Sequence, residues 1–175
     1  FAAVISLRSI MAWQVSASGS NDWFAANVPG CIHIDLLAAK RILAPFYRNN
    51  ESRVQRVSEQ GWTYRRTFQV TDDLLRHEHL LLRCEGLDTL AAVSMNGVEV
   101  GRADNMFRTW EFDVKKYLHP GINTVKIQFT SVLPLIRSRE KEHHLAAYSY
   151  PGAAYVRKMP CNFGWDWGPT LITCG

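Results

Sequence analysis

The chain has 175 residues, 47% of them hydrophobic and 21% charged, with a net charge of +4. That balance supports one domain with a sizeable buried core and excludes wholesale disorder, while the length excludes a complete eight-stranded α/β-barrel enzyme of about 250 residues. The charge surplus is thin for a nucleic-acid-binding protein, and the apolar start at residues 1–5, broken by Ser6 and Arg8, is too short for a membrane span or a signal-type segment. The chain opens on Phe1 and reads as a segment of a longer protein.

The first predicted element is a short amphipathic helix between Pro29 and Leu43, where Ile32, Leu36, Leu37 and Ile42 share a face; Pro45 and Asn49-Asn50 end it in a loop. The pattern then changes to period two. Tyr64, Arg66, Phe68 and Val70 alternate with Thr63, Arg65, Thr67 and Gln69, and a Leu-rich run follows from Leu80 to Cys84. Ala91, Val93 and Met95 lead into Asn96-Gly97 and then Val98 and Val100, a strong hairpin signal because Asn-Gly accepts positive φ at both turn positions. Trp110, Phe112 and Val114 alternate again. After the Pro120-Gly121 turn, Val125, Ile127 and Phe129 face inward while Lys126, Gln128 and Thr130 face water. At least five short strands and one brief helix imply an all-β, antiparallel β-sandwich. Residues 133–160 lack a clear period and read as a long loop, of the kind that is usually functional.

Four cysteines, Cys31, Cys84, Cys161 and Cys174, have no CxxC spacing; they read as buried or idle thiols, and their spacing assigns no disulfide. Neither His77-Glu78-His79 nor His143-His144 has a third ligand at metal-binding spacing, no phosphate loop is present, and no metal or cofactor is expected. Arg137, Arg139 and Lys141 interleave with Glu140 and Glu142 and read as a solvated face.

The chain carries six Trp, six Tyr and eight Phe, and the densest signal is Asn162-Phe163-Gly164-Trp165-Asp166-Trp167-Gly168-Pro169. A sugar ring stacks its C–H face on an indole and hydrogen-bonds its hydroxyls to a carboxylate, so Trp-Asp-Trp holds both halves of a saccharide subsite. In an extended stretch Asp166 would point away from both indoles, so the arrangement needs a turn, which Gly164 and Gly168 permit. On composition alone, two core Trp residues and a turn-capping Asp166 fit equally well.

That octapeptide resembles the signature of β-mannosidases of glycoside hydrolase family 2, near the end of their N-terminal sugar-binding domain. The likeness extends, in order, through residues 28–37, Pro45-Phe46-Tyr47-Arg48, Asn50-Glu51, Trp62-Thr63-Tyr64, Glu85-Gly86-Leu87-Asp88-Thr89, Met95-Asn96-Gly97 and Asp104-Asn105-Met106-Phe107, from about Trp13 to the end. Arg56 and Gly61 depart from it, standing where a Trp and an Asp or Asn are expected.

The resemblance implies that residues 1–175 form a jelly-roll, galactose-binding-domain-like sandwich whose last strand lies beyond Gly175, followed by an immunoglobulin-like domain and a TIM barrel that carries two catalytic glutamates. An isolated chain of this extent would then be inactive and prone to self-association. The implied substrate is a terminal, non-reducing β-mannoside, the implied partner is the barrel of the same polypeptide, and neither nucleic acid nor membrane is expected as a partner. No catalytic residue is expected in this segment; Trp165, Asp166 and Trp167, with Arg157 and Asn162 as weaker candidates, are the expected substrate-binding residues. Glu51 reads as a structural carboxylate bonding backbone or an arginine, and Asn105 and Phe107 as a turn residue and a core anchor. The same domain of a β-galactosidase or β-glucuronidase, and a stand-alone carbohydrate-binding module, are the competing readings.

Overall fold

The structure is a computed structural model that describes residues 2–5, 13–146, 152–165 and 168–175. Among the described residues nine strands form two sheets: β1 (Ala2–Ile5), β2 (Trp13–Ala17), β3 (Phe24–Ala26), β4 (Trp62–Val70), β5 (His79–Cys84), β6 (Leu90–Met95), β7 (Val98–Ala103), β8 (Trp110–Asp113) and β9 (Gly121–Thr130). The large sheet is antiparallel throughout, in the order β3-β2-β4-β9-β6-β7, and the small one has the order β1-β5-β8. Among the described residues, the one parallel pairing of strands is between β1 and β5. The expected antiparallel β-sandwich is therefore present, with neither sheet closed into a barrel.

Its spine is the pairing of β4 with β9, in register from Trp62 opposite Phe129 to Val70 opposite Gly121. Alternation puts Trp62, Tyr64, Val125, Ile127 and Phe129 into one core with Leu80 and Leu82 of the small sheet, because period two sends every second side chain to the same face. Tyr64 and Phe129 meet edge to face at 5.7 Å. The two sheets approach closely enough that a Cβ on Gly101 of β7 would stand 2.2 Å from the Phe112 ring of β8.

The predicted hairpin forms as expected. Asn96 (φ 51°) and Gly97 (φ 86°) make the turn between β6 and β7. Asn96 also donates to the Tyr117 carbonyl at 2.8 Å and to Asn123 Oδ1 at 2.7 Å, tying the turn to the start of β9.

Four short α-helices decorate the sandwich among the described residues: α1 (Ile32–Ala38), α2 (Asn50–Val54), α3 (Asp72–Leu75) and α4 (Leu133–Glu142). The N-terminal helix is shorter than predicted at both ends. Cys31 is still extended, and the chain leaves the helix at Ala39 and reaches a left-handed conformation at Lys40. The prediction of a long loop from residue 133 is corrected more substantially, since its first ten residues are α4. Only Leu133 and Ile136 of that helix are buried. One apolar turn followed by Arg-Ser-Arg-Glu-Lys-Glu leaves no period to detect. Three strands also lie outside the prediction, and β3, with three residues, is too short to show alternation.

A second apolar cluster lies beside the main core: Val132, Leu133, Ile136, Tyr155, Phe163 and Ile172. It joins α4 to the C-terminal segment. Gly152, at φ 99°, is packed so closely that a Cβ would lie 2.0 Å from Ile136 Cγ2. Among the described residues no helix is long and apolar enough to cross a membrane.

Candidate functional site

The aromatic-rich octapeptide begins in a 3-10 turn, Pro160–Phe163, that drives Phe163 into the second cluster. Gly164 then takes φ 94°, a conformation that side-chain-bearing residues rarely adopt, and a Cβ there would stand 2.8 Å from Thr170 Oγ1. The expected turn follows. Trp165 and Gly168 exchange both main-chain hydrogen bonds, at 3.3 and 3.2 Å, which reverses the chain within the motif. Trp165 stands out of the core, 53% exposed. Asp166 and Trp167 lie outside the described residues.

The segment is tied down by side chains meeting backbone and by a main-chain bond of its own. Glu51 Oε1 accepts from the Thr170 N–H at 2.8 Å, so the carboxylate read as structural does bond backbone, across 119 positions of sequence. Thr170 Oγ1 donates to the Phe163 carbonyl at 3.3 Å, the Leu171 N–H donates to the Asn162 carbonyl at 3.1 Å, and Ser58 Oγ donates to the Ile172 carbonyl at 2.8 Å. Asn162 is half-buried, and its side-chain amide donates to the Met159 carbonyl at 3.3 Å.

Arg157 is exposed and enters the arrangement through its backbone: its carbonyl accepts from the Met106 N–H at 3.0 Å, in an isolated bridge to Asn105. Asn105 Oδ1 accepts from the Phe107 N–H at 2.9 Å, as a turn residue should. The expectation that Phe107 anchors the core is corrected. It is 63% exposed, in the turn that the Asn105 side chain closes.

Sequence reasoning missed the residues that hold the base of this segment. Lys158 is buried, with Nζ 2.6 Å from Asp88 Oδ2 and 2.7 Å from the Thr173 carbonyl. The only available signal was a lysine beside Arg157, which reads as ordinary surface charge. Asp88 also exchanges main-chain bonds with Gly175, at 3.0 and 3.3 Å, and the Ile32 N–H at the start of α1 donates to the Cys174 carbonyl at 2.9 Å.

Under this tail lies a polar seam. Asp35, buried on α1, accepts from the Asn27 N–H at 2.8 Å and the Tyr64 hydroxyl at 3.0 Å; burial nonetheless raises its carboxyl above the usual range. His33 is buried with neither ring nitrogen hydrogen-bonded among the described residues, and desolvation, helped by the Lys158 charge, lowers its pKa to about 4. It is neutral at pH 7. All four cysteines are free thiols, and burial pushes Cys84 up to about 11. His79 pairs with Asp113 at 2.7 Å on the surface.

A model of the glycosyl hydrolase 2 galactose-binding domain-like family matches residues 13–175. The chain belongs to that family. Among its relatives, bovine β-mannosidase is 32% identical over 98% of this chain and 20% of its own length, and β-mannosidase A of Emericella nidulans is 33% identical over 98% and 19%. The crystal structure of β-D-mannosidase from Dictyoglomus thermophilum superposes with a TM-score of 0.87 at 38% identity, covering 93% of this chain and 20% of that one. The exo-chitosanase of Amycolatopsis orientalis, at 20% identity and a TM-score of 0.60, shares the fold. This member of the family therefore spans about a fifth of the length of the curated relatives it matches.

Proposed function

We propose that this chain is the substrate-binding domain of a β-mannosidase that releases terminal, non-reducing β-D-mannose from β-mannosides. The observation that carries the reading is the Trp165–Gly168 turn, which holds a half-exposed indole out of the sandwich while both flanks are anchored. An indole fixed in that way offers a stacking face for a sugar ring without being ordered anew on binding. Asp166, next to it in sequence, supplies the acceptor for the sugar hydroxyls, each such charge-assisted hydrogen bond contributing roughly 1.5–3 kcal/mol. Trp167, Arg157 and Asn162 complete the candidate set, with Asn162 shaping the turn and Arg157 at its approach.

In this reading the bond chemistry belongs to a TIM barrel in the same polypeptide. Two glutamates there act by the retaining mechanism, one as nucleophile and the other as acid and then base, with their carboxyls about 5 Å apart. This domain contributes by holding the terminal mannose in register with them. Interactions that tighten in the transition state raise the rate as well as the affinity. The 175-residue chain by itself is then without turnover.

The test is a substrate panel offered to the full-length protein: aryl β-D-mannoside, β-D-galactoside, β-D-glucuronide and β-D-glucosaminide. The expected result is a preference for the mannoside of at least a hundredfold in kcat/KM. Preference for another sugar would move the chain to a different enzyme of the same broad family. Sugar binding with no turnover by the full-length protein would make it a stand-alone carbohydrate-binding module.

A further inference from the structure

The ammonium of Lys158 is fully buried, a rare state for a lysine, and it joins three separated stretches of chain. Asp88, in the connection from β5 to β6, supplies the counter-charge at 2.6 Å, and the Thr173 carbonyl, 15 positions after Lys158, supplies the second acceptor at 2.7 Å. Between Lys158 and Thr173 lie Asn162, Trp165 and the turn that closes on Gly168. The residues on either side of Lys158 are also fixed. The Arg157 carbonyl accepts from the Met106 N–H, and the Met159 N–H points at Met106 Sδ at 2.9 Å.

A buried ion pair is a poor way to gain stability, since an apolar pair of similar volume is often as stable or more so. It does differ from an apolar pair in direction, because an ammonium with two acceptors fixes the distance and angle of each. We propose that Lys158 is a positioning residue for the saccharide-facing turn: its ammonium draws the start and the end of that segment together on Asp88 and so fixes where the Trp165 indole stands. The inference rests on the proposed β-mannosidase reading for its consequence in catalysis and on the geometry alone for its consequence in the segment. Displacing a substrate-positioning group by about 1 Å is enough to slow a reaction a hundredfold.

The test uses the full-length protein carrying Lys158→Met, and the charge-free pair Lys158→Met with Asp88→Leu, which strands no carboxylate should the single variant not fold. Two readouts are taken: amide hydrogen exchange, and kinetics on an aryl β-D-mannoside. Exchange over residues 159–172 is expected to quicken at least tenfold with β4 and β9 unchanged, and kcat/KM to fall at least tenfold with the rise in KM exceeding the fall in kcat. A folded variant with wild-type exchange over 159–172, or a loosened segment with wild-type KM, overturns the proposal. Collapse of the whole fold in the charge-free pair also overturns it, since Lys158 would then be a structural residue of the sandwich. If the wild-type protein hydrolyses no β-mannoside, the substrate reading falls, and the exchange result by itself decides whether the clasp exists.

Discussion

In the large sheet, β4 and β9 are locked by a continuous ladder of nine residue pairs and by side chains that interdigitate with the small sheet. From Gly152 onward, the described residues contain no ladder and make only the isolated bridges of Arg157 with Asn105 and of Trp165 with Gly168. What holds that segment is a series of individual contacts: side chains reaching backbone groups, from Glu51, Ser58, Thr170 and Lys158, main-chain bonds of Asp88 with Gly175 and of Ile32 with Cys174, and the burial of Phe163 and Ile172. A sandwich can in this way present a turn at its rim. A ladder distributes its restraint over many equivalent bonds, so no single side chain decides the backbone path. A segment held by individual clasps can follow an irregular path, and each clasp then matters locally.

The comparison predicts two kinds of damage. The larger belongs to the sheet: Phe129→Ala empties a core position against Tyr64 and is expected to cost about 3–5 kcal/mol. Exchange of the β4, β9 and β6 amides should quicken together, because they open as one cooperative unit. Quickening confined to the residues touching Phe129 would show that the sheet is not the single unit described. The smaller effect belongs to the segment: Glu51→Ala leaves the Thr170 N–H without its acceptor, a loss of about 1–3 kcal/mol. It should appear as faster exchange over 159–172 with the sheet amides unchanged. Glu51→Gln keeps an amide oxygen for that N–H and should restore most of the protection; equal loosening by Ala and Gln would remove Glu51 from the list of clasps.

The same division decides what was legible in the sequence. Elements whose geometry is written locally were readable: Asn96-Gly97 specifies its own turn, and Val125, Ile127 and Phe129 specify which face of β9 is buried. The turn in the octapeptide was readable too, because Gly164 and Gly168 permit a reversal there. Where structure depends on a distant partner, the local signal disappears. α4 has a single apolar turn and is fixed by contacts to Tyr155, Phe163 and Ile172. β3 forms because β2 offers it an edge. Lys158 looks like surface charge until Asp88, 70 positions away, is brought to 2.6 Å. Glu51 was half legible, as a carboxylate for backbone, but its partner Thr170 could not be named from spacing. A large aromatic in a turn motif suggests a core anchor, yet Phe107 is exposed in the turn that Asn105 closes.

Asp166→Ala in the full-length protein, assayed on an aryl β-D-mannoside with the fold checked by hydrogen exchange of β4 and β9, decides whether the turn is a saccharide subsite. A saccharide subsite at the Trp165–Gly168 turn predicts a fall in kcat/KM of at least tenfold with the sheet amides protected as in the wild type. Wild-type kinetics in that folded variant would remove the subsite from the turn.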